Sequence, residues 1–500
     1  MSGSSKAVDT AIPEFRQILG HPAPLWMLFM TEFWERFAFY GIRWALVLYI
    51  VAQFHAGAAS GEADANLTYG SYLALVYAAA LFGGYVADRV LGYQRSILIG
   101  ATFMAAGLFM IALPDQTLFK IGLATIITGN GLFKPNISTM VGKLYASSDS
   151  RRDSGFTIFY MGINAGAFIA PILTQYLAQY VFNTGDTPAY KVVFIASGIG
   201  MLISLVWFYF GRAELKNIGM PEPQAQGMAR VLYVVVGALF VIPVVYALLA
   251  VGAQQLQGVL TVLFILLAVM LLVEGYRNGP VARDKVWAMM IIFAFNILFW
   301  MFFEQAGSSF TFLAENIVNR TFGDWVFPTA WFQSVNSIAI ITCAPVIAAI
   351  WIFTARRNVE PSIPRKFGLG LIFNGLAFLL LMFALGSLLD DAGMIPFWTL
   401  FMVYVIQSVG ELCLSPIGLS MVTKLAPIRL VGLGMGGWFL STGIGNNLSG
   451  IFASHVSGES GMSVASALSG YNFGFWSLVI GGALLFLLAP LIQKLMHGVK

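Results

Sequence analysis

Long apolar segments separated by short polar connectors dominate the sequence. A helix needs about 20 mostly apolar residues to cross the roughly 30 Å hydrocarbon core of a bilayer. Windows of that size predict fourteen membrane-spanning helices, several of them long enough to tilt or to project beyond the bilayer. Their approximate limits are 24–52, 68–90, 96–113, 118–144, 154–182, 190–211, 229–250, 256–276, 284–314, 326–355, 366–387, 394–424, 428–456 and 471–496. The pattern therefore predicts an all-α integral membrane protein.

The predicted helices fall into groups of six, two and six. The middle pair is rich in Val and Leu, and it carries almost nothing polar that could line a path. Two six-helix bundles with a binding site between them near the midplane are typical of the major facilitator fold. We therefore expect four parts: a cytoplasmic N-terminal tail (1–23), an N-terminal bundle (24–211), a linker with two inserted helices (212–283) and a C-terminal bundle (284–500).

The composition narrows the class of protein. Of the 500 residues, 58% are hydrophobic and only 10% are charged, whereas a soluble domain is about 25% charged. Soluble enzymes, nucleic-acid-binding proteins and secreted disulfide scaffolds are therefore disfavoured. Cys343 and Cys413 both lie in apolar stretches, so we expect no disulfide. No G-x-x-x-x-G-K-[ST] loop is present, so we expect no ATP hydrolysis and no cofactor or metal, with an ion gradient as the energy source.

The positions of lysine and arginine predict the orientation. If the N-terminus is cytoplasmic, most of the 27 basic residues fall in cytoplasmic connectors. The outer connectors then contain only Lys120, Lys191 and Arg320. This bias supports an even number of spans, with both termini in the cytoplasm.

The first predicted span carries an unusual concentration of charge. Four charged residues share one narrow arc of this helix, at about 100° per residue: Glu32, Glu35, Arg36 and Arg43. Tyr40 lies beside them on the same face. Charges inside a span are costly and usually functional, so we expect this face to line an aqueous cavity. A structural ion-pair network between helices is the alternative.

Three further charges lie inside predicted spans: Lys134, Glu304 and Glu411. Over the whole set the acids exceed the bases by one, which leaves one carboxylate without a partner. A desolvated carboxylate takes up a proton more readily, as a proton-coupled transporter requires. The N-terminal half holds three cations and two anions, whereas the C-terminal half holds two anions only. A zwitterion would fit between them, with its carboxylate toward Arg36 and Lys134 and its amine toward Glu411.

The connector after the second span has the pattern G-x-x-x-D-R-x-x-G-x-x-R, from Gly84 to Arg95. This pattern is the cytoplasmic loop signature of major facilitators. Its glycines permit a tight turn. We expect Asp88 and Arg89 to latch neighbouring helices, which is a gating role. An ordinary charged connector is the alternative.

Uncharged polar and aromatic residues give weaker signals. Asn164 and Asn336 could donate to a peptide group, or they could bond a neighbouring helix. Four aromatic residues could line an apolar pocket with polar tips, or they could serve as packing: Tyr40, Tyr77, Trp300 and Trp438.

The stretch from His21 to Arg43 resembles the opening of the proton-dependent oligopeptide transporters, whose fingerprint is E-x-x-E-R-F-x-Y-Y-G. Residues 156–171 resemble the fifth-span motif of that family, and the segments around Glu304 and Glu411 resemble its seventh- and tenth-span motifs. The similarity covers nearly the whole chain and includes an inserted helix pair that is common among bacterial members. Phe39 departs from the fingerprint, because the family usually has the first Tyr of its pair there.

The resemblance implies proton-driven import of di- and tripeptides by alternating access, through a monomer in the bacterial plasma (inner) membrane. It implies proton coupling by Glu32, Glu35, Arg36 and Glu304. It implies substrate contacts by Arg36, Tyr40, Tyr77, Lys134, Asn164, Trp300, Asn336, Glu411 and Trp438. Gating falls to the Arg43–Glu304 pair, to Lys134 and Glu411, and to the loop residues Asp88 and Arg89.

Other functions remain open on the residues alone. A transporter of the same fold could carry nitrate, an amino acid or a drug-like solute. Glu411 argues against a simple anion, because a carboxylate would repel it. A membrane receptor or an intramembrane enzyme is a third possibility, but the sequence offers no nucleophile–base pair for catalysis. No nucleic acid partner is expected.

Overall fold

Sixteen α-helices form almost all of the computed structural model, which describes residues 12–146, 149–221 and 226–499. The first eleven residues of the predicted tail, residues 222–225 of the predicted linker and residue 500 lie outside the described residues. The helices are α1 (Ala23–Arg43), α2 (Ala45–Phe54), α3 (Glu62–Val86), α4 (Tyr93–Ile111), α5 (Gln116–Lys143), α6 (Arg152–Tyr176), α7 (Tyr190–Gly211), α8 (Met228–Ala250), α9 (Ala253–Arg277), α10 (Pro280–Phe303), α11 (Ser309–Asn316), α12 (Trp331–Arg356), α13 (Ile363–Ser387), α14 (Phe397–Leu425), α15 (Val431–Ser457) and α16 (Val464–Leu495).

Short elements occupy the connections between these helices. Single turns of 3-10 helix lie at Ala59–Gly61, Arg212–Leu215 and Ile428–Leu430, and π-helical turns extend α3 at Ala87–Leu91 and α6 at Leu177–Val181. The strands have two residues each: β1 (Gln17–Ile18), β2 (His21–Pro22), β3 (Val318–Asn319), β4 (Thr321–Phe322), β5 (Trp325–Val326) and β6 (Ile395–Pro396). β1 pairs with β2 and β4 with β5 in antiparallel fashion, while β3 and β6 are parallel.

The all-α membrane fold is confirmed, but the predicted total of fourteen spans is not. Within the described residues, eleven helices are long and apolar enough to cross a membrane, and the bent pair of α1 and α2 makes a twelfth if it counts as one span. The helices α5 and α15 are as long as the others but carry more polar residues. They include Asn130 and Lys134 in α5, and Asn446 and Asn447 in α15.

Two segments that the sequence predicted as single spans are broken. The first, 24–52, bends by 43° between α1 and α2. The second, 284–314, ends its main helix at Phe303 and resumes as the short α11. Glu304 therefore lies just past the end of α10, with φ −79° and ψ 46°, instead of inside a continuous helix. The apolar run continues through the break, so hydrophobic periodicity does not reveal it.

The two six-helix groups meet along two seams, where α3 packs against α15 and α6 packs against α12. At the first seam the backbones of Gly70 and Gly450 touch, because a Cβ atom on Gly70 would lie 2.6 Å from the Gly450 Cα. At the second, the Ser334 hydroxyl donates to the Phe168 carbonyl at 2.7 Å. Both seams leave a central region between α1, α5, α6, α10, α12 and α14.

Two faces of the molecule are defined by the direction of the helices. We call the face at which α1 begins and α16 ends the terminal face, and the opposite one the distal face. The inserted pair lies outside both bundles, with α8 packed on α3 and α5 and with α9 packed on α10 and α15. The Asn447 amide fixes α9 by donating to the Ala253 carbonyl at 2.8 Å and to Gln257 Oε1 at 3.0 Å.

Candidate functional site

The charged face of α1 forms a compact cluster inside the N-terminal half. The guanidinium of Arg36 donates two hydrogen bonds to the carboxylate of its neighbour Glu35, with Nε–Oε2 2.5 Å and Nη2–Oε1 2.6 Å. Its Nε also lies 3.4 Å from Glu32 Oε1, one helical turn earlier. The three side chains are at most 4% exposed. Fork-shaped pairing of this kind is among the stronger hydrogen-bonded ion pairs.

Neutral groups complete the surroundings of this cluster. The Arg36 guanidinium carbon lies 4.7 Å from the ring centre of Phe39 and 5.9 Å from that of Tyr40. Asn130 on α5 donates to Glu35 Oε1 at 3.5 Å. Among the described residues, no group hydrogen-bonds Glu32 Oε2, which is buried. This oxygen is thus a polar atom placed for a proton or for a ligand that the cluster does not itself supply.

A second ion pair joins the two halves. Arg43, at the end of α1, places Nη2 2.6 Å from Glu304 Oε2, and its Nε donates to the Tyr69 hydroxyl at 3.1 Å. Both charged side chains are 11% exposed. Because Glu304 lies past the end of α10, its carboxylate can reach across to α1. This pair closes the space between the halves on the distal side of the α1 cluster.

Lys134 lies on α5, near the charged cluster but not paired with it. Its Nζ is 4.5 Å from the ring centre of Tyr77, which is a cation–π contact. Within the part of the chain that the structure describes, no carboxylate comes within 4 Å of this ammonium. Lys134 is half-buried, so its charge is available to an anionic group that enters the central region.

Glu411, on α14, has only neutral partners. Asn336 on α12 donates to Glu411 Oε2 at 3.2 Å and to the Ser408 hydroxyl at 2.8 Å. Over residues 12–146, 149–221 and 226–499, no lysine or arginine lies within ion-pair distance of this carboxylate. The helix that carries its partner Asn336, α12, packs on α6 of the opposite half.

Three predicted contact residues remain, Trp300, Asn164 and Trp438. Trp300 lies half-buried on α10 and donates to Asn296 Oδ1 at 3.0 Å. Asn164 donates to the Tyr160 carbonyl at 3.0 Å, within its own helix. Trp438 is not brought to the charged residues. Its ring is 6% exposed and packs within the C-terminal half, 6.2 Å from the ring centres of both Phe293 and Phe367.

The loop motif lies at the terminal face, far along α3 from the ion pairs. Asp88 and Arg89 are exposed in the π-helical turn that ends α3. Asp88 accepts a hydrogen bond from the Tyr93 hydroxyl, whose ring lies 5.0 Å from Lys143 Nζ. Gly92 has φ +75°, so the turn needs a glycine there. The motif thus ties α3 to α4 and α5; the gating role stays a prediction.

The sequence analysis missed a further polar contact between the halves. Glu62, at the start of α3, accepts from the Asn316 amide at 3.1 Å and from the Met462 backbone N–H at 2.8 Å. One turn later, Asn66 donates to the Ala453 carbonyl at 3.1 Å and to the Ser457 hydroxyl at 3.0 Å. The only signal was a carboxylate just before a predicted span, where connectors often carry charge.

No group of three or more His, Cys, Asp or Glu side chains that could hold a metal ion occurs in the described ranges. The candidate site consists of two arrangements of charged side chains. One is a cluster on α1 and α5 with two carboxylates and two cations, and the other is a lone carboxylate on α14 with neutral partners. A closed ion pair lies between the two halves on the distal side. This arrangement can bind a molecule that carries both charges, and it can couple binding to proton uptake.

A bundle of long apolar helices in two halves around buried charges defines a membrane transporter of the major facilitator type. A POT family model matches residues 94–466. The chain is 35% identical to the peptide transporter YePEPT of Yersinia enterocolitica, over 98% of each chain. It is 33% identical to dipeptide and tripeptide permease B of Salmonella typhimurium, over 85% of each. The chain belongs to the POT family.

Solved structures of the same family agree with this assignment. A crystal structure of peptide transporter POT in complex with sulfate is 32% identical, with a TM-score of 0.82 and coverage of 98% of each chain. A mutant of peptide transporter POT in complex with alafosfalin is also 32% identical, with a TM-score of 0.81 and coverage of 97% of each.

Proposed function

We propose that the protein is a proton-coupled symporter that imports di- and tripeptides by alternating access. One observation carries the proposal. Within the described residues, Lys134 on α5 and Glu411 on α14 have no ion-pair partner, and they belong to opposite halves. The termini of a short peptide are a carboxylate and an ammonium, separated by about 3.5 Å per residue. Relatives named peptide transporter and dipeptide and tripeptide permease support this substrate class.

In this proposal the peptide carboxylate binds Lys134 and Arg36, and the peptide amine binds Glu411. Fixed charges at both ends restrict length and leave side chains free to vary. Asn164 and Asn336 contact the peptide backbone, and Tyr40, Tyr77, Trp300 and Trp438 shape the side-chain pockets. For Trp438, this role requires that its ring leave the packing it has against Phe293 and Phe367.

Proton coupling follows from the buried carboxylates. Protonation of Glu304 removes the charge that attracts Arg43. The N-terminal bundle (24–211) and the C-terminal bundle (284–500) can then separate at the distal face. Protonation in the Glu32 and Glu35 cluster frees Arg36 for the substrate. The proposal assigns the proton to this group of acids and not to one of them. Lys134 and Glu411 in the central region, and Asp88 and Arg89 at the terminal face, take part in the opposite gate.

The remaining features of the proposal concern context. We place the protein in a bacterial plasma (inner) membrane with both termini in the cytoplasm, which makes the terminal face cytoplasmic. It acts as a monomer surrounded by lipid, requires the proton gradient and no bound cofactor, and uses neither ATP nor nucleic acid. It catalyses no chemical reaction.

The test is uptake of radiolabelled dialanine into proteoliposomes with an imposed inward proton gradient. We expect accumulation above the outside concentration that collapses with a protonophore. Unlabelled dialanine and trialanine should compete, whereas free alanine and nitrate should not. Sealed, correctly loaded vesicles that accumulate no dipeptide would overturn the proposal. Competition by nitrate or alanine would point to the other solutes.

A further inference from the structure

A long apolar groove separates the inserted helices from the N-terminal half. Its volume is about 550 Å³, and side chains of α3, α5, α8 and α9 line it. The hydroxyl of Thr128 in its wall already donates to the Ala124 carbonyl at 2.9 Å, so it offers water no free donor. A water molecule needs two to four polar partners to stay in a buried place. The groove therefore suits an apolar occupant.

The length of the groove indicates which apolar group fits. On α8 the lining runs from Tyr233, near the terminal face, to Leu248, near the distal face. Fifteen residues at 1.5 Å each make this distance about 22 Å. One leaflet contributes about 15 Å, half of the roughly 30 Å hydrocarbon core. The groove is longer than one leaflet is thick, so one extended acyl chain that enters from the terminal side fits within its length.

Two arginines mark the terminal end of the groove. Arg230 precedes the lining residue Gly237 by seven positions within α8, and Arg89 lies in the π-helical turn, three residues past the lining residue Val86. Seven residues return an α-helix to nearly the same face, so Arg230 lies on the side of α8 that forms the groove, while Arg89 lies just beyond the end of the lining on α3. Within the described residues neither arginine has an ion pair. Basic groups at the membrane boundary attract anionic lipid head groups.

We propose that this groove binds an anionic phospholipid of the terminal-face leaflet. Its acyl chain lies along α8, and its phosphate contacts Arg89 and Arg230. α8 packs on the N-terminal half, whereas α9 packs mainly on the C-terminal half and also touches α3. Movement of the halves would therefore change the width of the groove. A flexible chain fills a gap of changing width better than fixed side chains do. The lipid would thus keep the inserted pair attached to both halves.

The first test measures lipid retained by the whole protein. Protein reconstituted with an equal mixture of zwitterionic and anionic phospholipid is extracted, and its bound lipid is identified by native mass spectrometry. We expect wild type to retain an anionic lipid. Arg230→Gln and Arg89→Gln should each weaken retention by about fivefold, as expected for one basic residue near a membrane surface. Arg429→Gln, in the connection between α14 and α15, is the matched control and should retain lipid as wild type does.

The second test fills the groove. Gly237 lines the groove, and a Cβ atom there meets no heavy atom within 4 Å. Gly258, on α9, is equally open but does not line the groove. Gly237→Leu should lose the lipid, and Gly258→Leu should keep it. Equal retention by wild type, Gly237→Leu and Arg230→Gln would overturn the proposal. Retention of zwitterionic lipid in place of anionic lipid would overturn it as well.

Discussion

The two halves of the site handle charge in opposite ways. In the N-terminal half, Arg36 is held by two carboxylates of its own helix, at 2.5 Å and 3.4 Å. In the C-terminal half, Glu411 has an amide as its partner and no cation among the described residues. A buried ion left without its partner is far costlier than a buried pair. The N-terminal cluster is thus stable without substrate, whereas the carboxylate of α14 gains a counter-ion only when a ligand supplies one.

The largest effect should come from removing the cation of the N-terminal cluster. Arg36→Gln leaves two buried carboxylates without a counter-charge, so we expect a loss of about 3–5 kcal/mol in the free energy of unfolding and no peptide uptake. The control is Arg283→Gln, which removes an adjacent arginine–acid pair at the terminal face where the arginine is 40% exposed. Exposed pairs contribute about 0–1 kcal/mol. Thermal unfolding in detergent compares the two; equal melting temperatures would contradict the buried-cluster argument.

The next effect tests the pair that joins the halves. Glu304→Gln keeps the size of the side chain but removes the charge that holds Arg43 at 2.6 Å. We expect gradient-driven accumulation of dialanine to be lost while counterflow exchange survives, because exchange needs no net proton movement. Glu274→Gln on the inserted pair is the matched control and should transport normally. Uphill uptake at the wild-type rate in Glu304→Gln would rule out the coupling role.

A smaller effect tests the lone carboxylate. Glu411→Gln should raise the KM for dialanine about 10–100-fold, because a hydrogen bond to a charged group contributes about 1.5–3 kcal/mol. N-acetyl-dialanine has no ammonium and separates binding of the amine from other effects. It should compete poorly with dialanine in wild type, and almost as well as dialanine itself in Glu411→Gln. If the variant still prefers the free amine as wild type does, Glu411 does not bind it.

The smallest effect concerns the position where the sequence departs from the family fingerprint. The Phe39 ring packs 5.3 Å from that of Tyr40 at an interplanar angle of 84°, and the Arg36 guanidinium lies over it. Both contacts use the ring and need no hydroxyl. Phe39→Tyr should therefore change the KM by less than about twofold, whereas Phe39→Leu, which removes the cation–π contact, should change it more. A large gain of affinity in Phe39→Tyr would show that the hydroxyl matters.

The sequence predicted the membrane helices and the inward face of α1 because apolarity and helical period are both local properties. It predicted the Arg43–Glu304 pair only through the family resemblance, since the two residues are 261 positions apart. It did not predict that Glu304 lies past the end of its helix, because the apolar run continues through the break. It did not predict that the Trp438 ring packs on Phe293 and Phe367, and the substrate contact of this residue stays a prediction. Packing partners depend on the tertiary arrangement, which a local pattern does not contain.

The close contact between Gly70 and Gly450 can serve as a pivot between α3 and α15, and this pivot does not lie at the middle of α3. At this point backbone meets backbone, while Asn66 and Ser71 beside it hydrogen-bond to residues of α15. Gly70 lies eight residues from Glu62 and sixteen from Val86, which makes the arms about 12 Å toward the distal face and about 24 Å toward the terminal face. A tilt about this point moves the terminal end of α3 roughly twice as far as its distal end. A small separation of Arg43 and Glu304 at the distal face then corresponds to a displacement roughly twice as large at the terminal face.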